Sequence, residues 1–115
     1  MVSTISGYAP MPPIHTLGFH FSKWDAASTD IIRQRNSDFT DTGFPVDVLW
    51  MDINWAQYDN NRFGEEYFVF NPLNFTEEGL ELMNQEVEES GRRLTVICDP
   101  HIKAKTDYFV YKEGL

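Results

Sequence analysis

The sequence predicts an α/β fold of parallel strands, and three observations carry that expectation. First, Val46 to Ile53 (VDVLWMDI) and Leu94 to Lys103 (LTVICDPHIK) begin as short apolar runs without alternation, rich in β-branched and large side chains. Such runs suit strands buried on both faces, as in parallel sheets. Second, each run leads to a carboxylate, Asp52 and Asp99, and α/β barrels build their active sites at the C-terminal ends of their strands. Third, helical segments separate the strands, an alternation that implies parallel pairing through right-handed crossovers.

Residues 1–13, with three prolines and a glycine, read as an irregular lead-in. Thr16 to Phe21 (TLGFHF) is expected as the first strand. Ser28 or Thr29 caps a helix reaching about Thr40, with Asp30 favourable near its N-terminus. Gly43 and Pro45 stop it. Strand two is Val46 to Ile53. From Asn54 to Phe75 runs an aromatic, Asn-rich excursion with a short strand at Tyr67 to Phe70 and a turn at Asn71-Pro72. It is long for a strand-to-helix connection, and loops of such length are often functional. Thr76 caps a second helix through about Ser90, with Leu80, Met83 and Val87 on one face and most of its glutamates toward water or the helix N-terminus. Gly91 ends it, and Arg92-Arg93 lead into strand three.

The order β-α-β-excursion-α-β shows no internal repeat. It is expected to form a partial (β/α)8 barrel, the first three β/α units with parallel strands, over residues 14–115. A complete barrel takes about 250 residues. The chain therefore reads as a fragment of marginal stability, since much of its apolar strand surface is suited to further neighbours.

Composition narrows the partners. Hydrophobic residues make up 42% and aromatics 15%, enough for a core and too many for a disordered chain. The net charge, 9 − 18 = −9, with no basic cluster, argues against nucleic acid or an anionic membrane. No apolar stretch is long enough to span a bilayer. The N-terminal MVSTISGYAPMPP lacks the charged and apolar regions of a signal peptide. Cys98, the single cysteine, makes no internal disulfide and reads as a small core residue. No metal-site spacing or Gly-rich phosphate loop occurs, so neither a cofactor nor an unrelated phosphate-binding or deacetylase barrel finds support.

Four segments in order resemble glycoside hydrolase family 31, the retaining α-glucosidases: MPPIHTLGFHFSKW (Met11 to Trp24), FPVDVLWMDINW (Phe44 to Trp55), YFVFNPLNF (Tyr67 to Phe75), and RRLTVICDPHIK with DYFVYKEG (Arg92 to Gly114). The DPHIK form is most similar to the group containing the α-subunit of endoplasmic-reticulum glucosidase II and the neutral α-glucosidases. The resemblance implies that Asp52 hydrogen-bonds hydroxyls of the non-reducing glucose. It implies that Ile53 and Ile97 line that subsite, that Trp24 helps wall it, and that Asp99 and His101 support its floor. Carboxylates accept paired hydrogen bonds from sugar hydroxyls, and apolar walls cover the C–H faces of the ring.

Each role has a plainer rival. Asp52 and Asp99 also suit capping of strand ends or turns, Trp24 and Trp55 suit rim packing, and His20 and His101 suit structural hydrogen bonds. Lys103 suits an ion pair. The chain departs from the family pattern at Ser22-Lys23, where Cys-Arg is usual, and at Asn54, where a second acid is frequent. It departs again at Phe68-Val69-Phe70-Asn71, where the family has Phe-Thr-Trp-Asp.

Retaining hydrolysis needs a carboxylate nucleophile and an acid/base about 5–5.5 Å apart. The resemblance places both on later strands, the fourth and sixth, so no catalytic residue is expected in this chain. It further implies an α-glucoside or glucosylated glycan as substrate, a β-subunit partner for the full-length enzyme, and the endoplasmic-reticulum lumen as compartment. The sequon Asn74-Phe75-Thr76 fits that compartment and equally fits a helix cap. The other reading is a non-catalytic carbohydrate-binding or regulatory remnant that associates with a partner through open sheet edges.

Overall fold

The computed structural model describes all residues except Met1, Ala26, Ala27, Asn60, Asn61 and Leu115, and side chains outside Val2, 57–59 and 62–65. The lead-in is less irregular than expected, because Val2–Ser6 coil into a short helix, α1. The first strand is much shorter than expected. Residues Ile14–Leu17 form a 3-10 turn, leaving only His20–Phe21 as β1. The cause is local: the amide and the hydroxyl of Thr16 both donate to the Pro13 carbonyl, at 3.0 and 2.6 Å.

Helix α2 (Thr29–Thr42) starts where its cap predicts, the Ser28 hydroxyl accepting from the Ile31 amide at 3.2 Å. Gly43 closes it in the left-handed region at φ 66°, a conformation that favours glycine. Strand β2 (Val48–Met51) is shorter at both ends than the expected Val46 to Ile53. The excursion is more ordered than expected. Its strands β3 (Ala56–Asp59) and β4 (Arg62–Phe70) pair antiparallel with register shifts. Helix α3 (Glu77–Glu89) follows Thr76, whose hydroxyl accepts from the Gly79 amide at 3.1 Å. Strand β5 (Arg93–Val96) comes next, and the short helix α4 (Phe109–Glu113), which the sequence did not suggest, ends the described chain.

The main sheet has the order β1-β2-β5, every pair parallel, as predicted. Leu49 is level with Phe21 and Leu94. That face joins Ile32, Met83 and Val87 in the core under α2 and α3. Full burial of a large aliphatic side chain contributes about 1.5–3 kcal/mol, so this layer holds the fold together. His20, Val48, Trp50 and Thr95 alternate onto the other face.

Polar ties align the helices on the sheet. Buried Arg92 donates to the Asn36 and Val46 carbonyls, the Asn36 side chain and the Thr40 hydroxyl, at 2.8–3.2 Å. Arg33 grips Glu86 with two bonds, at 2.9 and 2.8 Å, joining α2 to α3. That bidentate contact holds the Glu86 carboxyl below the usual range. Gly18 is required by close approach: a Cβ there would lie 2.1 Å from Asp47 Oδ2, the atom that accepts the Phe19 amide at 2.8 Å.

Candidate functional site

The expected site residues all follow the C-terminal ends of the three parallel strands, and alternation determines how those next to the sheet are placed. Asp52 follows Met51 with extended backbone, φ −71° and ψ 174°. Two residues beyond Trp50, it falls on the face opposite the helices. Met51 pairs with Val96, and the Ile97 amide continues the ladder to the Met51 carbonyl at 3.0 Å. Ile97 is therefore level with Asp52 on the same face. The register thus brings these two residues, predicted from separate segments, to the same level at the strand ends.

Asp52 is half-buried, and Oδ1 accepts from the following Ile53 amide at 2.7 Å, capping a 3-10 turn over Ile53–Trp55. The capping role weighed for it is thus real. It occupies one oxygen, and among the described residues Oδ2 has no hydrogen-bond partner. Ile53 is half-buried beside the core. Trp55 is buried, and its indole donates to the Ile97 carbonyl at 2.7 Å, stitching the turn after β2 to the end of β5. Trp24, three residues beyond β1, is 59% exposed.

Asp99 and His101 lie on the loop after β5 and meet a residue that sequence reasoning did not single out, Tyr67 of β4. The Tyr67 hydroxyl donates to Asp99 Oδ2 at 3.1 Å, and the His101 ring stands edge-on to Tyr67 with centroids 5.2 Å apart. Burial first, and the bond to Asp99 second, push the Tyr67 hydroxyl up to about 12. The phenol therefore stays protonated and donating at neutral pH. His20 takes a hydrogen bond from the Trp50 indole at 2.9 Å on Nδ1, the structural role expected for it.

Two further outcomes concern the same loop. Lys103 makes its expected ion pair, 3.8 Å from Glu66. Glu66 was missed, because an acid in an Asn-rich excursion reads as solvated, yet its side chain is only 5% exposed. Cys98 overturns its expectation: it is exposed, because β5 ends at Val96 and the chain leaves the sheet before reaching it. No group of three or more potential metal ligands occurs among the described residues.

Parallel strands under helices, with carboxylates and indoles at their C-terminal ends, define a segment of an α/β barrel enzyme scaffold. The chain belongs to glycosyl hydrolases family 31, whose TIM-barrel domain matches residues 9–115. It is 31% identical over 112 residues to a probable glucan 1,3-alpha-glucosidase of Arabidopsis thaliana, covering 97% of this chain and 11% of that protein. Neutral alpha-glucosidase AB of Homo sapiens is 31% identical over 111 residues, covering 96% of this chain and 11% of that one. A crystal structure of a glucosidase II alpha subunit in its Glc1Man2-bound form superposes with a TM-score of 0.74 at 28% identity, over 86% of this chain and 10% of that one. The chain thus spans about a tenth of the length of the curated relatives it matches.

Proposed function

We propose that this chain forms the first three β/α units of a retaining α-glucosidase barrel and contributes one wall of its glucose subsite. The single observation that supports this reading is the parallel register that ends with Met51 opposite Val96 and the Ile97 amide on the Met51 carbonyl, so that Asp52 and Ile97 are the next residues at the C-terminal sheet edge. Asp52 Oδ2, turned from the capping bond, accepts sugar hydroxyls. Ile53, Ile97 and Trp24 cover the C–H faces of the ring, and Asp99 with His101 supports the floor. The nucleophile and the acid/base belong to later strands, so glycosidic bond cleavage needs the rest of the barrel. Asp52 serves to orient the sugar, with no step of bond making assigned to it.

The substrate class is terminal α-linked glucose on a glycan, supported by likeness to a glucosidase II alpha subunit solved with Glc1Man2 bound. A regulatory subunit as partner, and the endoplasmic reticulum as compartment, rest on a related heterodimeric ER glucosidase II complex of catalytic subunit and regulatory binding domain.

Two measurements test the reading. Methyl α-glucoside titrated into the chain is expected to shift the amide signals of Ile53 and Ile97, and Asp52→Asn to abolish the shift. No shift in the unsubstituted chain overturns the subsite. An aryl α-glucoside is expected to remain uncleaved by these residues alone, and robust turnover overturns the placement of the catalytic pair elsewhere.

A further inference from the structure

Between Val96 and Phe109 the described chain has no helix or strand, yet this stretch carries Asp99 and His101. It is tied to hairpin strand β4 at several points. Tyr67 holds Asp99 and His101, as above, and the Tyr108 hydroxyl donates to the Tyr67 carbonyl. The remaining tie is electrostatic. Lys105 Nζ lies 2.8 Å from Glu66 Oε1, and Lys103 Nζ lies 3.8 Å from the same oxygen. The Glu66 side chain is 5% exposed, against 33% for Lys105 and 25% for Lys103.

A buried carboxylate is strongly unfavourable without a partner, and removing one member of a buried pair is far worse than losing a surface ion pair. The lysines are thus held where Glu66 is, and Glu66 is held by the hairpin. The hairpin in turn is fixed to the Asp52 turn, because the Asn71 amide donates to the Trp55 carbonyl at 3.1 Å. Asp107, at 3.5 Å from Lys105, is 72% exposed and cannot replace the buried partner. A continuous path therefore runs from the Asp52 turn through β4 and Glu66 to the loop of Asp99 and His101.

We propose that Glu66, with Lys105 and Lys103, is a clamp anchored on a buried carboxylate that positions the 97–108 loop and so sets where Asp99 and His101 stand relative to Asp52. Glu66 and Lys105 are positioning residues and touch no sugar. This deepens the subsite reading above and rests on it for its consequence in binding, while the clamp itself has its own test.

The test is amide hydrogen exchange on the whole chain, with residues 80–89 of α3 as internal reference. Lys105→Met keeps the aliphatic stem and removes the charge. It is expected to speed exchange across 98–108 about tenfold while α3 keeps its protection, as for a local opening. Lys105→Arg keeps the charge and is expected to hold exchange to within about threefold of the original. Unchanged exchange in Lys105→Met, or as large a change in Lys105→Arg, overturns the clamp. Equal loss of protection in α3 also overturns it, by showing a general loss of stability. If the original chain binds methyl α-glucoside, Lys105→Met is expected to weaken binding at least about threefold, a loss that Lys105→Arg does not show. If the original chain does not bind the sugar, the subsite reading fails, and the clamp still stands or falls on exchange alone.

Discussion

The helix-covered face of the sheet and the rim at its C-terminal end are built by different means. Under α2 and α3, Leu49, Ile32, Met83 and Val87 are 1–2% exposed, and one arginine, Arg92, collects the polar groups that the packing would otherwise strand. At the rim the ties are single directed bonds: Trp55 to Ile97, Tyr67 to Asp99, Lys105 to Glu66. Apolar layers stabilise by area and tolerate small shifts, whereas directed polar bonds fix positions and contribute less each. The contrast suits a scaffold whose rim must hold side chains at set places for a ligand.

The largest effect expected on this contrast comes from Leu49→Ala, which empties a site in the main core. Urea unfolding is expected to show a loss of about 3 kcal/mol. Arg92→Met follows: it removes the Arg92 bonds to the Val46 carbonyl, the Asn36 oxygens and the Thr40 hydroxyl, and the same measurement is expected to fall by about 2 kcal/mol. A loss below that of any rim substitution would dissolve the contrast.

Tyr67→Phe removes one rim bond and is expected to lower stability by about 1 kcal/mol. It also has a signature in pH. The Tyr67 hydroxyl is raised from 10.0 to about 12 in the fold, so above pH 10 the unfolded chain releases a proton that the folded chain keeps. Its contribution is fully present below pH 10 and is lost as pH rises toward 12. Stability measured across that range is expected to fall less steeply in Tyr67→Phe than in the original chain. Equal slopes would show that Tyr67 titrates as it does when unfolded.

The last effect has the opposite sign. Phe68 sits in β4 at φ 68°, a left-handed conformation unfavourable for its side chain, and it is 61% exposed. Phe68→Asn is expected to raise the unfolding midpoint by the equivalent of about 1 kcal/mol, because asparagine tolerates that conformation and little packing is lost. A lowered midpoint would mean that the ring contributes more through packing than the backbone strain takes away.

Helices α2 and α3 were legible in the sequence because their signals are local, whereas the five-residue helices α1 and α4 were not. Ser28, Thr76 and Gly43 act within one turn of where they stand. The strand-end acids were legible because each strand leaves a distinct apolar run, although only β2 is buried as expected: β5 is exposed at Arg93 and Val96 and half-buried between, since no strand covers its far edge in this sheet. Other features were hidden for identifiable reasons. Pro13 draws Thr16 into a turn and shortens β1, a competition between local bonds and pairing that propensity does not decide. Glu66 and Lys105 are 39 residues apart, and nothing in either neighbourhood announces the other. Tyr67 in an aromatic stretch reads as packing until its hydroxyl is seen to meet Asp99. Cys98 follows an apolar run, yet the strand stops two residues before it.

The stitch from the Trp55 indole to the Ile97 carbonyl has an optical consequence. Three tryptophans occupy three different media: Trp55 is 4% exposed and hydrogen-bonded, Trp50 is half-buried against His20, and Trp24 is 59% exposed to water. Indole emission shifts to the red as the ring meets water. Trp24 sets a constant red component, and Trp55 supplies a blue one that persists only while the turn after β2 grips the end of β5. Loss of that bond is expected to shift the protein's own fluorescence to the red, separately from the helical signal in circular dichroism.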